Sequence, residues 1–152
     1  MIDYKELNEF IGKCGPKTRI YVGCDSGAIS KSGKRMAVYT VAIVVHIDSC
    51  HGGKLFFENV VEPDYSVSRN KPSPRLMTEV MKVAETYLKL LEECENCLDR
   101  EIEIHLDINP EKEHKSSAIV KEAIGYVQGV CQVTPKIKPE AFAASTIADR
   151  FH

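Results

Sequence analysis

The sequence predicts a mixed α/β fold, one sheet with both antiparallel and parallel pairings packed against helices. Three observations predict it. Three β-branched and apolar runs follow one another across short turns; helical and strand patterns then alternate to the end; and no Pro-, Gly- or Ser-rich linker or repeat interrupts the 152 residues. A meander followed by helix–strand crossovers builds one mixed sheet. A chain of this length can bury a real core without staples, so one domain is expected over residues 1–152.

The elements follow in order. Asp3 with Glu6 resembles a capping box, and Leu7, Phe10 and Ile11 give a small apolar face, which predicts a short helix over residues 3–12 closed by Gly15-Pro16. Arg19 to Cys24 reads as a first strand, with turn chemistry at Ser26-Gly27 and Ser32-Gly33. Arg35 to Ile47 and Lys54 to Val61 read as second and third strands across a turn at Asp48 to Gly53. After a proline-containing loop, Glu62 to Pro74, the spacing of Leu76, Val80, Val83, Tyr87 and Leu90 predicts a helix to about Glu93. Glu101 to Leu106 is a fourth strand and Lys115 to Val127 a second long helix. Val130 to Lys138 reads as a fifth strand, placed at an edge by Pro135. Ser145 is placed to cap a predicted last helix through Phe151.

Composition narrows the function. A formal charge of −2 argues against a sequence-blind basic coat for nucleic acid. Local basic clusters (Lys31, Lys34, Arg35; Arg69, Lys71, Arg75; Lys136, Lys138, Arg150) read first as solvated surface. No apolar run approaches the ~20 residues that span a bilayer. The opening MIDYKELNEF lacks a signal-peptide pattern, so a cytoplasmic setting with reduced cysteines is expected. Cys94 and Cys97 form a CxxC at a helix end, and a structural zinc would need a second pair such as Cys50-His51. No GxSxG elbow surrounds Ser26, and no phosphate-binding glycine loop is present.

Two aspartates carry the chemical signal. Asp25 follows the strand RIYVGC, and Asp107 follows EIEIHL. Neighbouring strands lie about 4.8 Å apart, and Mg²⁺ takes oxygen ligands at about 2.1 Å. Carboxylates at matched strand ends can therefore share an ion, at the carboxyl ends of strands where sheet proteins bind ligands. Each also has a plain structural reading: Asp25 as an Asx-turn residue before Ser26-Gly27, Asp107 as a strand end before Asn109-Pro110. His105 shares a strand face with Asp107, and reads as a structural histidine or a proton shuttle. His114 precedes the second long helix as another possible base.

The element order, with an Asp closing strands one and four, resembles the ribonuclease H fold. Three segments, IYVGCDSG, EIHLDINP and KIKPEAFAASTIADRF, are similar to the YkuK-type family of small ribonuclease H-like proteins, over nearly the whole chain. The resemblance implies a five-stranded mixed sheet of order 3-2-1-4-5 covered by helices on both faces, with strands one and four parallel neighbours. It also implies an acidic set that is both catalytic and metal-ligating: Asp25, Glu79, Asp107 and Asp149. Glu79 lies at the border of its helix's apolar stripe, between Leu76 and Val83, and Ala148-Asp149 echoes the final helix of RuvC-like resolvases. Taken singly, Glu79 reads as a solvated helix charge and Asp149 as surface.

On this resemblance the chain is expected to be a divalent-metal-dependent nuclease using Mg²⁺ or Mn²⁺ to hydrolyse phosphodiester bonds of RNA, DNA or a hybrid. Cations about 3.5–4 Å apart would activate water and stabilise the leaving oxygen. Asp25 would bridge them, with Glu79 and Asp107 on one and Asp149 on the other. His105, Lys138, Ser26 and Asn109 are candidates for touching substrate or holding ligands in place. The alternative is a nucleic-acid-binding or protein-interaction module that keeps the fold without turnover; a Cys/His zinc protein is a third reading. Nucleic acid is the expected partner, with no membrane, and a homodimer is one open arrangement.

Overall fold

The hairpin that opens the sheet is longer than its sequence suggests. A computed structural model describes residues 1–49, 52–64, 73–108 and 117–138. Strand β1 (Arg19–Lys31) runs straight through Ser26-Gly27, because every residue from Arg19 to Lys31 finds an antiparallel partner in β2 (Lys34–His46). The turn is made at Ser32 and Gly33, both with positive φ, 53° and 75°. That two-residue geometry matches the strand twist and suits a glycine at its second position.

Strand β3 (Gly53–Pro63) pairs antiparallel with β2, and β4 (Glu101–His105) pairs parallel with β1. The order β3-β2-β1-β4 is the one the resemblance implies for the first four strands. The sheet is four-stranded among the described residues, not five-stranded. Val130 and Cys131 are taken up by helix α3 (Ser117–Cys131), and Gln132 turns with φ 60°. Pro135 has no N–H to give a ladder. What remains of the fifth strand is a parallel bridge between His105 and Lys136. Lys136 N donates to Ile104 O (2.8 Å), Leu106 N to Lys136 O (2.8 Å), and Lys138 N to Ile108 O (2.9 Å). This short track suffices to lay Lys138 beside the end of β4.

Helix α1 (Tyr4–Gly12) starts as predicted: the Asp3 carboxylate accepts from Lys5 N and Glu6 N, both at 3.1 Å. Helix α2 (Ser73–Glu93) is the long amphipathic one. Alternate residues of the strands (Ile20, Val22 and Cys24; Val41, Ile43 and Val45; Ile104) meet Leu7, Val80, Leu90 and Val127 in one core. Burying a Leu- or Val-sized side chain contributes about 1.5–3 kcal/mol, so this layer fixes which strand face looks toward the helices. The described helices all contribute side chains to this one core. The helix expected from Ser145 to Phe151 lies outside the described residues.

Cys94 and Cys97, expected as free thiols, are joined in a disulfide, and both are fully buried. Cys14, Cys24 and Cys131 are free. Cys50-His51, the partner pair a zinc site would need, lies outside the described residues. The turn carrying Cys97 (Glu95–Cys97) is strapped to α1: Asn96 N donates to Asn8 Oδ1 at 2.8 Å and Asn96 Nδ2 to Asn8 O at 2.9 Å. Gly12 allows that approach, since a Cβ there would come within 2.6 Å of Asn96 Nδ2.

Candidate metal centre

Strand register brings the two aspartates together. The last parallel pair between β1 and β4 is Gly23 with His105. Two residues past that pair stand Asp25, still within β1, and Asp107, just beyond the end of β4, level with one another. Asp25 is not a turn residue, for it pairs with Thr40 in mid-hairpin. It sits where β1 has outrun its parallel pairing with β4, and it is half-buried.

Helix α2 supplies the third group. Ligand oxygens of Asp25, Glu79 and Asp107 all lie within 4.8 Å of one another. Glu79 therefore does not behave as a solvated helix charge. The residue keeps some exposed surface, but its carboxyl points inward. Burial, then the Asp107 and Asp25 charges, push its pKa well above the usual carboxylate range, against a smaller opposing pull from Arg75 and Ser26. Arg75 is one helical turn before Glu79 and also faces the buried Asp64 carboxylate, 3.9 Å away, which Arg35 holds at 3.0 Å. The loop reading of Glu62 to Pro74 did not single out Asp64; the spacing of four from Arg75 to Glu79 was the available signal for Arg75.

The remaining candidates divide. Lys138 reaches the site: its Nζ is 2.8 Å from Asp107 Oδ1, and that contact raises its pKa. Ser26 faces Glu79 and favours its charged form. His105 is buried at 1% exposure, its ring 4.9 Å from that of Tyr21 and its Nε2 3.7 Å from the Glu103 carboxylate, which also takes Lys136 at 2.7 Å. Burial lowers the His105 pKa, against the opposing effect of the Glu103 carboxylate. Asp149, Asn109 and His114 lie outside the described residues.

The donors fit a hard divalent cation. Three carboxylates on three elements offer oxygen only, the preference of Mg²⁺ and Mn²⁺. The nearby Cys24 thiol is pushed well up by burial and by the Glu79 and Asp25 charges, so it stays protonated and is no competing soft ligand. The ammonium of Lys138 already stands against the cluster as a cation of the chain's own.

A family model described as Ribonuclease H-like matches residues 4–152. No curated protein and no solved structure matches the chain.

Proposed function

From the premise that this chain belongs to the ribonuclease H-like family, we propose that it is a divalent-metal-dependent nuclease acting on phosphodiester bonds of RNA, DNA or a hybrid. The observation that carries the reading is the convergence of Asp25, Glu79 and Asp107 from β1, from helix α2 and from the residues just past β4. Like charges gathered so closely repel unless a cation sits among them. Asp25 and Asp107 would hold Mg²⁺ or Mn²⁺ from the sheet side and Glu79 from the helix side; Asp149 would join them as a further ligand. Once bound, such an ion activates water and stabilises charge building on the phosphate oxygens.

The chain's own contribution is positional. Asp25 is held by a strand paired along its full length with β2, and Glu79 by a 21-residue helix packed on the core. Rigid elements keep the donors near their working geometry, the condition for substrate and water to be aligned. Glu79 must shed its proton as a cation enters, so affinity is expected to rise with pH through its raised pKa.

Thermal melting of the full chain tests the proposal. At a Mn²⁺ concentration one hundred times Kd, binding to the folded state contributes about 2.7 kcal/mol, roughly 5–10 °C in Tm for a chain of this size. Asp25→Asn is expected to remove most of that shift and all Mn²⁺-dependent cutting of labelled RNA, DNA and hybrid oligonucleotides. Cutting that survives in Asp25→Asn would falsify its assigned role. Stabilisation by Mn²⁺ with no cutting of any of the three would assign the chain to the non-catalytic alternative.

A further inference from the structure

We infer that Arg35 and Arg75, held by the buried Asp64 carboxylate, form a grip for a backbone phosphate of a nucleic-acid strand lying across the carboxylate cluster. The inference rests on the nuclease reading and adds where the substrate is held. The Asp64 side chain is 1% exposed; Arg35 Nε donates to its Oδ2 at 3.0 Å, and Arg75 Nη1 stands 3.9 Å from the same oxygen. Arg35 comes from the start of β2 and Arg75 from the first turn of α2, so one buried acid ties cations of two elements to one spot. Both heads remain reachable, with the side chains 54% and 31% exposed.

A buried carboxylate needs a partner, and Arg35 already supplies a hydrogen-bonded one. At 3.9 Å the Arg75 contact is one of charge rather than a hydrogen bond. Arg75 also faces Glu79, one helical turn later, and favours its charged form. A guanidinium carries five N–H donors in a planar fork that matches phosphate oxygens. Position points to a phosphate beside the reacting one. Asp25 pairs with Thr40 and Ser30 with Arg35, so the Arg35 main chain lies farther along the hairpin by roughly 16 Å of extended strand. Arg75 covers part of that gap, about 6 Å of helix before Glu79. Between them Ser26, Ala28 and Ser30 alternate along β1, small side chains that become exposed toward the hairpin end. They leave room for an extended strand to lie there. Gathered carboxylates repel a polyanion, and a fixed positive pair at their flank offsets this and sets the strand's register.

Fluorescence-anisotropy titrations of the full chain in Mn²⁺, over a salt series, test the grip. The probes are labelled single-stranded DNA and RNA oligonucleotides without terminal phosphates, all-phosphorothioate so that they keep their charge and resist cutting. Arg35→Gln and Arg75→Gln are each expected to weaken binding about tenfold, the scale of one charge-assisted contact. The double variant should lose little more, because both side chains serve one phosphate. Its slope of log affinity against log salt should be shallower by about 0.7, the share of one single-strand phosphate. Lys17→Gln removes the same charge from an exposed lysine just before β1, at the other end of the hairpin, and should match the wild type. An arginine that merely steadied Asp64 would move the melting temperature but not the salt slope. If Arg35→Gln does not fold, Arg75→Gln decides alone through its affinity and slope, since it leaves Asp64 its closer partner. Wild-type binding with an unchanged slope in the arginine variants, or an equal loss in Lys17→Gln, overturns the grip and leaves the nuclease reading standing. A wild type that binds neither oligonucleotide overturns both.

Discussion

Glu79 shows what gathered carboxylates cost without a cation among them. Its pKa in the folded chain is raised, so between the ordinary value of 4.5 and that raised value the folded state binds more proton than the unfolded one. Stability from this group is therefore fully present below pH 4.5 and falls as pH rises through the folded pKa. In chelator, Glu79→Gln should melt above the wild type at pH 7, with the gap closing toward pH 4.5; in saturating Mn²⁺ the order should reverse. Melting curves of both proteins over a pH series check this, and a gap that widens toward acid would refute it. Asp25 and Asp107 were legible in the sequence because each follows an apolar, β-branched run, although β1 continues past Asp25 to Lys31. Glu79 was not, since a Glu at the border of an apolar stripe is ordinary; the family likeness pointed to it. Asp64 carried no signal at all, because what matters about it is the pair of arginines that only the fold brings near.

At the scale of elements, the strap between α1 and the turn after α2 is small and testable. Asn8 accepts from Asn96 N through its side chain and from Asn96 Nδ2 through its main chain, so Asn8→Ala removes one bond and leaves a half-buried N–H without its acceptor. A cost of about 1–3 kcal/mol is expected. Gly12→Ala should also destabilise, by forcing Asn96 aside. Urea denaturation of both variants measures the two costs, and Mn²⁺ binding should be unchanged because neither position is near the carboxylates. Helices and the first strands were legible from periodicity. The fifth strand was misread because Val130 and Cys131 are β-formers by composition, yet α3 continues through them, burying Cys131 against Ala84 O. Likewise Ser26-Gly27 looked like a turn, but a fully paired neighbour overrides local preference.

For the molecule as a whole, the strand order and the family likeness agree on how the chain is wound, and none of the helices is long and apolar enough to cross a membrane among the described residues. The fold class was legible because a meander followed by crossovers leaves few ways to close one sheet. The site was legible only in part, because register between distant strands is not written in either strand alone. That register has a consequence for kinetics. Asp25 and Asp107 are more than half the chain length apart, and a one-residue slip between β1 and β4 would turn one of them to the other side of the sheet. Parallel pairings between remote segments close late and slowly, so the cluster of three carboxylates should be missing from the folding transition state. Stopped-flow chevrons should then show Mn²⁺ slowing the unfolding arm while the refolding arm stays nearly where it was.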